Sequence, residues 1–173
     1  VGVEGAWSQY RYFKVDTLAP ASPQPQKPAN GAIVNNTTPR LTVSTVAGAK
    51  EYQFQVSEDP AFAATLVDAT VTSIFSTASY KLTAAEALPF GPVYWRVRAL
   101  DRAANVSSWT TPRLMLVDIK KTPADGGYST VARPAFTWGT AEGATNYRLQ
   151  VAASADFDPA SIIIDETLGP VYQ

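Results

Sequence analysis

The sequence predicts an all-β protein built from tandem two-sheet sandwiches, one complete and two partial. Three observations carry that expectation. Apolar and polar residues alternate with period two along most strand-like stretches, and helical spacing is scarce. Turn residues punctuate these stretches every ten positions or so. The chain also repeats itself. Pro28-Ala29-Asn30-Gly31 returns as Pro123-Ala124-Asp125-Gly126, and the two copies then run without a gap for more than thirty residues at an offset of 95, which becomes 97 after a two-residue insertion that places Asp165 on Asp68. Within them Pro39 falls on Pro134, Tyr52 on Tyr147, Gln55-Val56 on Gln150-Val151 and Phe62 on Phe157. A second echo places Trp7–Asp16 on Trp109–Asp118 at an offset of 102.

These echoes divide the chain. Residues 1–18 are expected as the C-terminal strand of a preceding repeat, and 19–28 as a Pro-rich linker. Residues 29–118 are expected as one whole sandwich, and 119–173 as the N-terminal half of a following repeat. Prolines at 20, 23, 25 and 28 favour an extended, semi-rigid spacer. The junction at 119–122 is shorter and should bend less.

Seven strands are expected in the complete unit, near 31–35, 40–46, 50–57, 64–71, 74–82, 92–101 and 107–117. In residues 51–57 Tyr52, Phe54 and Val56 share one face and polar residues the other. Residues 146–151 repeat that pattern. Each copy follows a strand (40–44 or 135–138) across a Gly-Ala turn, as in a hairpin. Residues 93–100 put Tyr94, Arg96 and Arg98 on one side and Trp95 and Val97 on the other. Residues 83–88 are the one helix-like stretch, read as a short turn closed by Pro89. Seven short strands in under a hundred residues suggest two packed sheets.

Composition narrows the function. At 173 residues and 46% hydrophobic, the chain can bury a core in each complete unit. A net charge of −1 supplies no field for nucleic acid. The apolar runs are too short to insert in a membrane. Cysteine is absent, which removes disulfides, thiolate metal sites and a cysteine nucleophile. Histidine is absent too, and with it the commonest general base and metal ligand.

The segments 39–43, 47–49 and 52–59 resemble strand B, turn and strand C of the fibronectin type III superfamily, in the version common in bacterial surface and secreted proteins. Residues 93–99, Asn105–Trp109 and Val117-Asp118 are similar to that family's strands F and G. Val15–Pro20 resembles its inter-repeat junction. Leu88-Pro89 followed by Tyr94 looks like its tyrosine corner, in which a hydroxyl ties a loop to the sheet. The family often places a core tryptophan in strand B. Trp138 fits that position, but the complete unit has Val43 there, so Trp95 or Phe75 is expected to fill its core. The resemblance implies packing and a cell-surface or extracellular setting, and it specifies no activity.

Candidate sites are few. Glu51, Glu58, Asp59, Asp68, Glu86 and Asp101 could form a carboxylate pair for glycoside hydrolysis, but they sit at turns and alternating polar positions, where solvated carboxylates are usual. There is no phosphate loop and no nucleophile elbow. No cofactor is expected. Asp16, Asp101 and Asp118 offer oxygen ligands for calcium, and they also suit local turn bonding. Sequons at Asn35, Asn36 and Asn105 fall in expected turns. Tyr10, Tyr12 and Phe13 cannot all be buried on one face of one sheet, so they could form a sugar platform or, more in keeping with adjacent aromatics on a terminal strand, an interface with a neighbouring domain or subunit. Pro20, Pro23 and Pro25 join them as interface candidates.

The partial units leave apolar faces that other polypeptide is expected to complete, either further chain or a neighbouring copy in head-to-tail assembly. The expected function is non-catalytic: a structural or adhesive segment of a stalk, surface layer or filament. The alternative is a spacer or carbohydrate-binding accessory module of a secreted polysaccharide-degrading enzyme.

Overall fold

A computed structural model describes residues 2–73 and 76–169. The fold is all-β, with two sheets facing each other across one core. The first sheet orders β1 (Gln24–Lys27), β3 (Arg40–Ser44) and β6 (Thr77–Lys81). The second orders β2 (Ala32–Val34), β8 (Arg113–Val117), β7 (Gly91–Asp101), β4 (Ala49–Ser57) and β5 (Val67–Thr72). Every pairing is antiparallel except β2 with β8.

The core follows from the alternation. Leu41 and Val43 point inward from β3, and Tyr52, Phe54 and Val56 from β4. Val93, Trp95, Val97 and Ala99 alternate inward along β7, and Met115 and Val117 along β8. All are essentially inaccessible to water. Trp95, one of the two expected fillers, is fully buried in this core. The other expected filler, Phe75, lies outside the described residues. Phe54 and Tyr80 stack with ring centroids 6.2 Å apart and so link the two sheets.

Several boundaries depart from the sequence reading. The segment expected as a linker, 19–28, contributes β1, which pairs with β3 in the first sheet. Proline is tolerated there because β1 is an edge strand with an irregular register between Pro25 and Lys27. Pro23 and Pro28 are buried, so their rings add apolar surface to the sandwich. Residues 2–19 form no ladder and are exposed, whereas a strand was expected over 1–18. Strand β5 starts at Val67, not near 64, because the preceding loop is wound around Asp59. That carboxylate accepts from the backbone N–H of Ala61 and Ala63. The last strand becomes regular only at Arg113. Pro112 offers no N–H, and the side chains of Ser107 and Thr110 accept from the N–H groups of Ala99 and Val97.

Residues 119–169 form two small sheets. Strand β9 (Lys120–Thr122) pairs with β10 (Thr137–Trp138), and β11 (Tyr147–Ala152) pairs with β12 (Ile162–Leu168). None of these residues is buried. This segment docks on the sandwich through the turn before β3. Asn36 bridges Thr140, and Glu142 N donates to Thr37 Oγ1 at 2.9 Å. Gly139 packs so closely on Asn35 that an added Cβ would overlap the Asn35 carbonyl oxygen.

Candidate functional site

The outer face of the five-stranded sheet carries a ladder of polar and aromatic side chains. It is built by alternation: the residues between the inward positions of β4 and β7 all point out. Asp68 on β5 accepts from Gln53 Nε2 at 2.6 Å and from Gln55 Nε2 at 2.8 Å. Gln55 Oε1 accepts from Arg96 Nε and Nη2 at 3.0 and 2.8 Å, and Gln53 Oε1 accepts from Arg98 Nε at 2.8 Å. Beyond them Trp109 lies with its ring centroid 4.4 Å from Arg96 Cζ and 4.5 Å from Arg98 Cζ. Phe62 covers Arg96 at 4.1 Å. Partial burial and the neighbouring Arg98 charge lower the Arg96 pKa, and Asp68 acts in the opposite sense. The arrangement is a cross-strand brace. Its polar groups are satisfied by one another, and its aromatic rings are occupied by guanidinium groups.

The β11–β12 hairpin carries a related set. Asp165 accepts from Gln150 Nε2 at 3.1 Å and forms a bidentate pair with Arg148, at 2.7 Å to Nε and 2.5 Å to Nη2. The bonds from Arg148 and then Gln150 hold the Asp165 carboxyl down at about 2. Tyr147 Oη accepts from Ala141 N at 2.9 Å, as Tyr52 Oη accepts from Val46 N at 2.8 Å. Between the two small sheets lies an open, largely apolar groove lined by Ile119, Phe136, Trp138, Tyr147 and Leu149. Trp138 and Tyr147 meet there with centroids 5.7 Å apart. The Trp138 indole N–H is shielded from water and has no partner among the described residues.

The residues singled out from sequence are only partly brought together. Tyr10, Tyr12 and Phe13 are 89%, 84% and 86% exposed, and Trp7 is 98% exposed. Pro20 and Pro25 are half-buried. Pro23 is a core residue, and its ring is enclosed in the sandwich rather than offered to a partner. The calcium candidates each bond within a turn. Asp16 Oδ1 accepts from Leu18 N, Asp118 Oδ1 from Lys120 N, and Asp101 from the N–H groups of Ala103 and Asn105. Asn105 Nδ2 donates both to Asp101 Oδ2 and to the Asp16 carbonyl, which links two of the three. Among the described residues no three acidic side chains converge in a group that could hold a metal ion.

The carboxylates weighed for hydrolysis are dispersed. Asp59 and Asp68 are bonded as described above, and Glu51 pairs with Lys50 at 3.4 Å. Glu86 accepts from Tyr80 Oη and from Thr83 N and Oγ1. Tyr94 makes no corner bond among the described residues; it lies on the outward side of β7 with Arg96. Tyr52 and Tyr80 tie loops to sheets instead. At the sequons, Thr37 and Thr38 are buried, Asn36 is half-buried, and the Asn105 amide is already bonded. The Arg96–Trp109 brace was not anticipated. Its signal was the spacing of Arg96 and Arg98 on one face, followed by a tryptophan too polar in context to be core.

No known family model matches the chain, and no curated protein does. Among solved structures it is similar to Streptomyces avermitilis alpha-L-rhamnosidase, crystallised with L-rhamnose, at 17% identity and a TM-score of 0.35. The likeness covers 62% of this chain and only 12% of that one. At that distance it carries no argument about activity. What the fold defines is an all-β sandwich protein. No helix among the described residues is long and apolar enough to cross a membrane.

Proposed function

We propose that this chain is a non-catalytic structural or adhesive segment of a repetitive extracellular protein, in which tandem fibronectin type III-like sandwiches act through contacts between repeats or subunits. The observation that supports this reading is where most of the large exposed apolar side chains lie, although Ile33, Leu66, Phe90 and Val106 are exposed on the sandwich itself. Val3, Trp7, Tyr10, Tyr12, Phe13, Val15 and Leu18 crowd the segment before the sandwich, and Tyr128, Val131, Phe157, Ile163 and Ile164 lie in the segment after it. Patches of this kind mark surfaces that other polypeptide covers. The closed sandwich spends its outer polar groups on its own brace. Its role is to hold the two flanking segments at a set separation.

Sedimentation velocity tests the reading. The chain is expected to self-associate with rising concentration, and Tyr10→Ser with Tyr12→Ser and Phe13→Ser to abolish the association. A chain that stays monomeric at millimolar concentration with its tail intact would remove the contact role.

A further inference from the structure

Strand β11 is hydrogen-bonded to β12 along one edge and unpaired along the other among the described residues. In the sandwich the corresponding edge of β4 is the one that pairs with β7. The two hairpins match closely on their shared side. Gln55 and Gln150 each donate Nε2 to the aspartate opposite, Asp68 or Asp165. Phe62 and Phe157 both hold positive φ, 58° and 53°, a conformation uncommon for an aromatic residue. They differ on the side where β7 lies. Gln55 Oε1 receives Arg96, and Phe62, under the same guanidinium, is only 8% exposed. Gln150 Oε1 accepts nothing among the described residues, and Phe157 is 47% exposed.

Building on the reading of 119–169 as part of a repeat, we propose that the free edge of β11 receives an antiparallel strand from a further repeat unit, with an arginine of that strand bonded to Gln150 and stacked on Phe157. Charge supports a cationic occupant. The hairpin from Tyr147 to Leu168 holds one arginine, Arg148, against Asp156, Asp158, Asp165 and Glu166. The apolar groove lined by Trp138, Tyr147 and Leu149 stands ready for the alternate, inward residues of the same strand. The β7 strand of a second copy is no donor, since both its edges are already paired.

The register adds a specificity. Arg96 lies opposite Gln55 and Arg98 opposite Gln53. In β11 the place of Gln53 is taken by Arg148, which is already joined to Asp165. The incoming strand therefore carries arginine opposite Gln150 and an uncharged or acidic residue opposite Arg148, because like charges directly opposite are unfavourable.

The test uses the full chain and fluorescent peptides with the sequence of residues 91–101, read by anisotropy. Three peptides are compared: unchanged, with R98Q and with R96A. The R98Q peptide is expected to bind a few-fold more tightly than the unchanged one, and R96A about tenfold more weakly than R98Q, given the loss of a charged hydrogen bond and a ring contact. Gln150→Ala in the chain, on a half-exposed side chain, should narrow that difference and leave the core intact. Equal binding of R96A and R98Q, or no binding by any peptide, overturns the proposal. Self-association through the aromatic tail, read separately by sedimentation, would survive either result.

Discussion

The guanidinium carbon of Arg96 lies 4.4 Å from the ring centroid of Trp109, which joins the loop before the last strand to the middle of the five-stranded sheet. Trp109→Ala removes the partner of two guanidiniums together with its half-buried ring. The expected loss is about 2 kcal/mol. Urea unfolding followed by the fluorescence of the buried Trp95 measures it, and a change within experimental error would show that the brace is ornamental.

Tyr52 is fully buried, and its hydroxyl accepts from Val46 N at 2.8 Å. Tyr52→Phe keeps the ring and strands that N–H, at a cost of about 1–2 kcal/mol. Tyr147→Phe removes the matching bond in a segment with no buried residue. It should leave the sandwich transition where it is. The two variants unfolding alike would contradict this difference in burial.

Stability should fall at alkaline pH through one side chain. Burial, with the hydrogen bond and charge of Glu86, raises the Tyr80 pKa from 10.0 to about 12. A raised folded pKa gives stability that is complete below the unfolded value and is lost as pH climbs from 10 towards 12. Glu86 shifts the opposite way. Burial opposes its ionisation, but hydrogen bonds from Thr83 and Tyr80 outweigh that and lower its pKa. Its contribution is therefore present above the ordinary carboxylate range and fades as pH falls through the folded pKa. In Tyr80→Phe the alkaline decline in unfolding midpoint should flatten. An unchanged alkaline profile would place the decline elsewhere.

Gly139→Ala should loosen the following segment from the sandwich, since an added Cβ meets the Asn35 carbonyl oxygen. Thr37→Val should do the same by removing the acceptor of Glu142 N. In both variants the Glu142 amide is expected to exchange with solvent faster, with little change in the unfolding midpoint of the sandwich. Retained protection at Glu142 would mean that neither contact holds the joint.

Much of the fold was legible because alternation is a local code. The faces of β4 and β7 were assigned correctly from Tyr52, Phe54 and Val56 and from Trp95 and Val97, since a period of two leaves little choice of face. Trp95 as core filler followed from the same parity. The Pro-rich stretch was misjudged because proline content reports backbone stiffness and says nothing of a neighbouring strand. Only the placement of β3 beside Gln24–Lys27 makes it a strand, with Pro23 enclosed. Trp7–Asp16 echoes Trp109–Asp118 in sequence yet forms no ladder, because a strand needs a partner edge and its residues meet none.

The candidate site was less legible for a related reason. Arg96, Gln55, Asp68 and Trp109 lie on different strands or loops, and nothing in their spacing along the chain says that they meet. The sequence by itself determined the all-β class, the two echoes, the inward faces and the lack of cysteine and histidine. Tertiary structure decided which polar residues brace one another, that the calcium candidates bond within separate turns, and that one edge of β11 is unpaired among the described residues. Side-chain parity is written residue by residue, whereas contact across strands depends on register, and register is settled only when the sheets pack.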